Sequence, residues 1–138
     1  MWITTPKREL DARLAPFKAA VRAGVGLVMV SNAGYRAYDP SGLPAVLSRR
    51  IVTGLLRQRL GFGGVVISDA MSAPGPSGHS DSAVQAIEAG TDVLLYTSEA
   101  GSEDAFAHVL AAARSGELPV ATLRSANDRI AALKRRFT

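Results

Sequence analysis

The 138 residues contain no cysteine, so neither a disulfide framework nor a thiolate metal or redox centre is available. There are two histidines, His79 and His108, and no His/Cys/Asp spacing of the kind that holds a metal. Acidic residues are in deficit, 12 against 16 basic ones for a net charge of +4. The basic residues are scattered, and the one cluster, Lys134-Arg135-Arg136, fits the last turn of a helix, so no nucleic-acid partner is expected. No apolar run approaches the roughly 18 residues that span a bilayer. Met1-Trp2-Ile3-Thr4-Thr5 lacks the charged and apolar regions of an export signal, which leaves the compartment open. Short internal repeats and low-complexity linkers are absent as well. The glycines do not form a strand-G-x-G-x-x-G-helix pattern, so no nucleotide site and no cofactor is expected.

What is present is 47% hydrophobic residues, enough for one domain with a real core. The organising stretch is Gly61-Phe62-Gly63-Gly64-Val65-Val66-Ile67-Ser68-Asp69-Ala70-Met71, an apolar run that enters through glycines and ends on a carboxylate. A charged group at the end of a buried strand is costly unless it is paired or working, which makes Asp69 the leading candidate for chemistry. Alternation predicts Val65, Ile67 and Asp69 on one side of that strand and Val66 and Ser68 on the other.

Around this strand the pattern predicts a helix starting at Thr5-Pro6 and running to Leu14, then a second over Pro16–Ala23 that stops at Gly24. A strand follows over Val25–Ser31. The long connection from Asn32 to Leu47, with two tyrosines, predicts an ordered loop that covers something. A helix over Ser48–Leu60 carries Ile51, Val52, Leu55, Leu56 and Leu60 as its apolar stripe, with Arg49, Arg50, Arg57 and Arg59 off it. After the Asp69 strand come an irregular loop to Ser80, a helix over Asp81–Ala89 and a strand over Asp92–Tyr96. A helix capped by Ser102 runs through Arg114, and a final helix covers Val120–Phe137. The order helix, β, α, β, α, β, α, α is an α/β pattern with short αβ links and long βα loops. It predicts a partial TIM (β/α)8 barrel, because only three strands are visible where closure needs eight. Residues 1–138 are then one partial barrel domain lacking the front of the barrel.

Four segments carry a resemblance: Leu27-Val28-Met29-Val30-Ser31-Asn32; Leu43-Pro44-Ala45-Val46-Leu47-Ser48; Gly54-Leu55-Leu56-Arg57 through Leu60-Gly61-Phe62-Gly63-Gly64-Val65-Val66-Ile67-Ser68-Asp69; and Ala86-Ile87-Glu88-Ala89-Gly90-Thr91-Asp92-Val93-Leu94-Leu95. In this order they resemble the barrel domain of glycoside hydrolase family 3, over about Glu9 to Lys134. The resemblance implies the last three strand-helix units of that family's N-terminal barrel, plus flanking helices. It also implies a carbohydrate substrate, a β-glycoside cleaved with retention by a β-N-acetylhexosaminidase or β-glucosidase. Asp69, which closes the G-F-x-G-V-V-I-S-D motif, takes the place of the nucleophile. In a two-carboxylate retaining site the partner sits about 5 to 5.5 Å away. Hexosaminidase-type members carry an acid/base histidine in a K-H-F-P-G-H-G-like loop, and glucosidase-type members take a glutamate from a following domain. Neither is present here. Asn32 stands where a substrate-facing histidine or aromatic is usual, and Ala70 where an acidic or aromatic residue often follows the nucleophile. Asn32, Tyr35 and Met71 complete the expected substrate-binding set.

Other readings have less behind them. His79 lies in the loop after Asp69 with nothing to place it, and His108 lies within a helix. Asp39 fits a turn that bonds its own backbone, and Asp92 begins a strand at the face opposite the catalytic one. A phosphoacceptor domain would need paired acidic residues after the first strand, where the chain has Asn32-Ala33-Gly34. The alternative kept open is a non-catalytic barrel remnant that is inactive alone and associates through its open sheet edges.

Overall fold

The protein is described by a computed structural model covering residues 1–79 and 81–138. Its main sheet has three parallel strands in the order β2, β4, β5, where β2 is Leu27–Val30, β4 is Val65–Ala70 and β5 is Val93–Leu95. Leu27 lies opposite Val65, Val30 opposite Ser68, and Ile67 opposite Val93. Each strand falls where its apolar run predicted it; β2 and β5 are trimmed at the ends, while β4 runs one residue past Asp69 to Ala70. Two short strands escaped the sequence pattern: β1 (Trp2–Ile3) and β3 (Gly34–Tyr35) pair in parallel, with Trp2 opposite Gly34. Gly34 is glycine for a steric reason, since a Cβ there would lie 2.1 Å from Trp2 Cζ3 and the indole could not approach.

Among the described residues there are five α-helices: α1 (Lys7–Ala12), α2 (Ala15–Arg22), α3 (Ser82–Ala89), α4 (Glu99–Ser115) and α5 (Val120–Lys134). Several expected boundaries move: α1 ends at Ala12 instead of Leu14, and α2 covers Ala15–Arg22 instead of Pro16–Ala23. Pro6 caps α1 from outside instead of opening it. The hydroxyl that caps α4 is Ser98, accepting from the Gly101 amide at 3.3 Å, while Ser102 lies inside the helix. α5 ends at Lys134, short of Phe137.

The segment expected as an α-helix over Ser48–Leu60 is a π-type helix over Arg50–Arg59, in which the Leu60 amide donates to the Leu55 carbonyl at 2.9 Å. The wider turn brings residue i+5 round toward residue i, so Arg57 joins the inward side with Val52 instead of lying off the stripe. Its guanidinium reaches the Gly64 carbonyl at 3.0 Å and the Gly90 carbonyl at 2.8 Å.

The core lies between the sheet and the helices. Val30, Ile51, Val52, Leu56, Phe62, Val66 and Ala86 pack there with Ala45, Val46 and Leu47 of a short 3₁₀ turn, so the long loop after β2 does cover the helix side of the core. Asp39 holds that loop in place. Its carboxylate accepts from the Ser41 amide at 3.1 Å, the Ser41 hydroxyl at 2.7 Å and the Ser48 hydroxyl at 2.5 Å, while Ser48 Oγ in turn accepts from the Ile51 amide at 3.2 Å. Burial alone would raise the Asp39 pKa. The Ser48 and Ser41 hydrogen bonds, helped by the nearby Arg50 charge, outweigh burial and hold it below the ordinary value.

Asp92 does the same work at the N-terminal end of the strands. Its side chain is 0% exposed, and it accepts from Arg57 Nη2 at 2.7 Å, from Arg129 Nη2 at 2.7 Å and Nε at 3.0 Å, and from the Val66 amide at 2.8 Å. One carboxylate thereby ties β4, the π-type helix and α5 together. On the other face of the sheet, Leu27, Met29 and Leu95 stand 42%, 52% and 38% exposed. No helix among the described residues is long and apolar enough to cross a membrane.

Candidate active site

All three strands of the main sheet run in parallel, so their C-terminal ends share one side of the molecule, and Asp69 leaves β4 there. The alternation predicted for this strand is present where it matters: Val66 and Ser68 are fully buried and Asp69 is exposed. Between β4 and β5 the register slips, with Ile67 opposite Val93 but Ala70 opposite Leu95. β4 therefore carries one more residue than its partner over this interval, which is a β-bulge at Ser68-Asp69. Bulges re-aim side chains and gather beside active sites. The ladder group orphaned by the bulge is the Leu95 amide, and Ser68 Oγ accepts from it at 2.9 Å. Beyond the bulge the Met71 amide donates to the Leu95 carbonyl at 2.9 Å, which closes the pairing again.

The Asp69 carboxylate is fixed at one oxygen. Its Oδ1 accepts from the Ala70 amide at 2.7 Å, and Oδ2 has no hydrogen-bond partner among the described residues. The Ala70 carbonyl accepts from Asn32 Nδ2 at 2.8 Å, a contact that reaches across from the end of β2. Asn32 Oδ1 is closed off from solvent and has no partner among the described residues. A carboxylate with one anchored oxygen, one open oxygen and an exposed position can act as a nucleophile or a base toward a ligand on this face.

Of the residues expected around Asp69, Asn32 is brought to the carbonyl of the residue that follows it. Met71 is 2% exposed and packs in the main core cluster, with one side toward a cleft of about 360 Å³ that is also lined by Ser72, His79, Tyr96, Asp104 and His108. Tyr35 lines a different cleft, about 370 Å³ and apolar, with Leu10, Leu14, Phe17, Tyr38 and Leu56; Asp69 does not contribute to it.

His108 Nδ1 is 2.8 Å from the Asp104 carbonyl oxygen, a contact within its own helix. The Tyr96 phenol beside it is pushed up, by burial first and by the Asp104 charge second. The residue that sequence reasoning missed is Ser68, whose hydroxyl completes the bulge. A lone serine at an inward position of an apolar strand was the available signal.

Comparison with known proteins bears on this geometry. The glycosyl hydrolase family 3 N-terminal domain model matches residues 2–133. A β-N-acetylglucosaminidase/β-glucosidase of Cellulomonas fimi is 34% identical over 130 residues, covering 86% of this chain and 23% of that protein. The structure of a family 3 β-N-acetylglucosaminidase from Paenibacillus sp. str. FPU-7 superposes with a TM-score of 0.93 at 35% identity, over 98% of this chain and 27% of that one. A β-N-acetylhexosaminidase from Beutenbergia cavernae superposes with a TM-score of 0.79 at 41% identity, over 86% of this chain and 36% of that one. The chain thus spans between 23% and 36% of the length of these relatives. Its strands and helices form part of a (β/α)8 barrel.

Proposed function

Because this chain belongs to glycosyl hydrolase family 3, we propose that it carries the nucleophile half of a retaining β-glycosidase site, with Asp69 as the nucleophile. The observation that carries the reading is the exit of β4: a bulge presents an exposed carboxylate at the C-terminal end of a barrel strand, with Oδ1 anchored by Ala70. Active sites of (β/α)8 barrels lie at that end. The substrate class is a β-linked N-acetylhexosaminide or glucoside, the classes named for the relatives.

In the first step Asp69 Oδ2 attacks the anomeric carbon through an oxocarbenium-like transition state and the glycosidic C–O bond breaks, while an acid supplies a proton to the leaving oxygen. In the second, water attacks the same carbon, its proton goes to the conjugate base of that acid, and Asp69 is released as carboxylate. These 138 residues hold no K-H-F-P-G-H-G-like segment to supply the proton-transferring group. Asn32 shapes the site at Asp69 through its bond to the Ala70 carbonyl. Hydrolysis of aryl β-N-acetylglucosaminides and β-glucosides by these residues embedded in a chain of the relatives' length, compared with and without Asp69→Asn, tests the assignment; activity that survives the substitution refutes it.

A second reading rests on the exposed apolar face of Leu27, Met29 and Leu95. In it the chain is inactive alone and associates with further polypeptide through that face and the flanking edges of β2 and β5.

A further inference from the structure

We propose that Asn32 is a positioning residue for Asp69, acting through Ala70 and not through contact with the sugar. The proposal rests on the reading of Asp69 as nucleophile and deepens it. Asn32 lies at the exit of β2, 38 residues before Ala70 in sequence, and its Nδ2 donates to the Ala70 carbonyl at 2.8 Å. The amide of that same alanine donates to Asp69 Oδ1 at 2.7 Å. Asn32 therefore grips one end of the residue whose other end grips the carboxylate.

The orientation of the Asn32 amide follows from chemistry, because turning it over would set two carbonyl oxygens against each other. Its Oδ1 is then left buried and unpaired among the described residues, a state that detracts from stability. A leucine would fill similar volume without that penalty. What the asparagine supplies in exchange is one donor aimed at one carbonyl, beside the carboxylate.

The bulge explains why such a donor matters. On the β5 side the strand exit is pinned twice, by Ser68 Oγ accepting from the Leu95 amide at 2.9 Å and by the Met71 amide donating to the Leu95 carbonyl at 2.9 Å. The Ala70 carbonyl also accepts from the Ala73 amide at 3.1 Å, and Asn32 is the side-chain donor that reaches it from the β2 side. Without Asn32 the Ala70–Met71 peptide keeps its bonds to Ala73 and Leu95 but loses its tie to β2, so Ala70 can shift relative to that strand and its N–H, across the Cα, holds Oδ1 less tightly. The carboxylate then samples several rotamers, and reaction rates are sensitive to displacements of this kind near the reacting atoms.

The test uses the full 138-residue chain with Asn32→Leu, Asn32→Ala and Asn32→His. Histidine sets Nδ1 at the same remove from Cβ as Asn32 Nδ2 and restores a donor. Amide hydrogen exchange at Ala70 and the Asp69 χ1 rotamer from three-bond couplings are read by NMR, with Val66 and Ile67 as internal controls. The expected result is Ala70 exchange at least about tenfold faster in the leucine and alanine variants, a rotamer-averaged Asp69, unchanged controls, and recovery with histidine. Unchanged Ala70 exchange and an unchanged Asp69 rotamer overturn the proposal.

A second readout is covalent trapping by an activated 2-fluoro β-glycoside. Asn32→Leu is expected to lower the limiting trapping rate about 10- to 100-fold at unchanged inhibitor affinity. Weakened affinity with an unchanged limiting rate makes Asn32 a sugar contact and overturns the proposal. If neither the native chain nor a chain of its relatives' length that carries these residues takes a label, the nucleophile reading fails, and the exchange and rotamer data still decide whether Asn32 positions Asp69.

Discussion

Replacing Asp92 by alanine removes the one carboxylate that joins β4, the π-type helix and α5. Four hydrogen bonds go with it, two of them to Arg129, one to Arg57 and one to the Val66 amide. Breaking a buried pair by deleting one partner costs about 3–5 kcal/mol, because the surviving charge is left uncompensated. Arg129 is 27% exposed and can turn to water, whereas Arg57 is 14% exposed and its guanidinium stays against the Gly64 and Gly90 carbonyls. The lower end, about 3 kcal/mol, is therefore the expected loss. With an unfolding entropy of roughly 2 cal/mol/K per residue, a chain of this length loses about 10 °C in Tm for that free energy.

Asp92→Asn keeps an acceptor for the Val66 amide and is expected to lose less, about 2 kcal/mol. Urea and thermal melts of the native chain and both variants measure the losses, and hydrogen exchange shows whether protection falls first in α5. A drop below about 3 °C for Asp92→Ala, which converts to less than about 1 kcal/mol, would refute the claim that this carboxylate staples the base of the sheet.

Acid should weaken the fold through Asp11 and Asp39. Hydrogen bonds from Arg59 and then Tyr38 hold Asp11 at about 2, below its ordinary 3.8, and Asp39 is lowered as well. A depressed carboxyl contributes stability above its unfolded value and loses it as pH falls through the folded one. The urea midpoint should therefore fall between about pH 4 and pH 2, less steeply in Asp11→Asn; equal slopes for the variant and the native chain would contradict the Asp11 contribution. At the alkaline end Tyr38, pushed up to about 12 by burial and by Asp11, contributes stability below its ordinary 10.0 that is lost as pH rises toward 12. The exposed sheet face makes a separate prediction. Met29→Lys should reduce self-association measured by size exclusion with light scattering, and a native chain that stays monomeric at its highest soluble concentration argues against association through that face.

The strand that ends on Asp69 was legible because apolar runs, glycine punctuation and a terminal carboxylate all point the same way. So was the parallel order, since each pair of strands is separated by a helical crossover. The π-type winding of Arg50–Arg59 was not, because an apolar stripe that suits an α-helix fits it nearly as well, and Arg57 was consequently placed on the wrong side. β1 and β3, two residues each, are too short for any period to register. The bulge at Ser68-Asp69 depends on what lies opposite in β5, which local sequence does not encode. Asp39 and Asp92 hold the loop after β2 and the base of the sheet, and their partners, Ser48 at nine residues' remove and Arg129 at 37, come together only through the fold.

The central claim is that Asp69 bonds covalently to a sugar. Incubating the native chain with an activated 2-fluoro β-glycoside, then measuring intact mass and fragmenting the product, tests this directly. The account predicts a single added glycosyl group, localised to Asp69 and absent from Asp69→Asn. An adduct on any other residue, or no adduct on Asp69 even when these residues are embedded in a chain of its relatives' length, would contradict it.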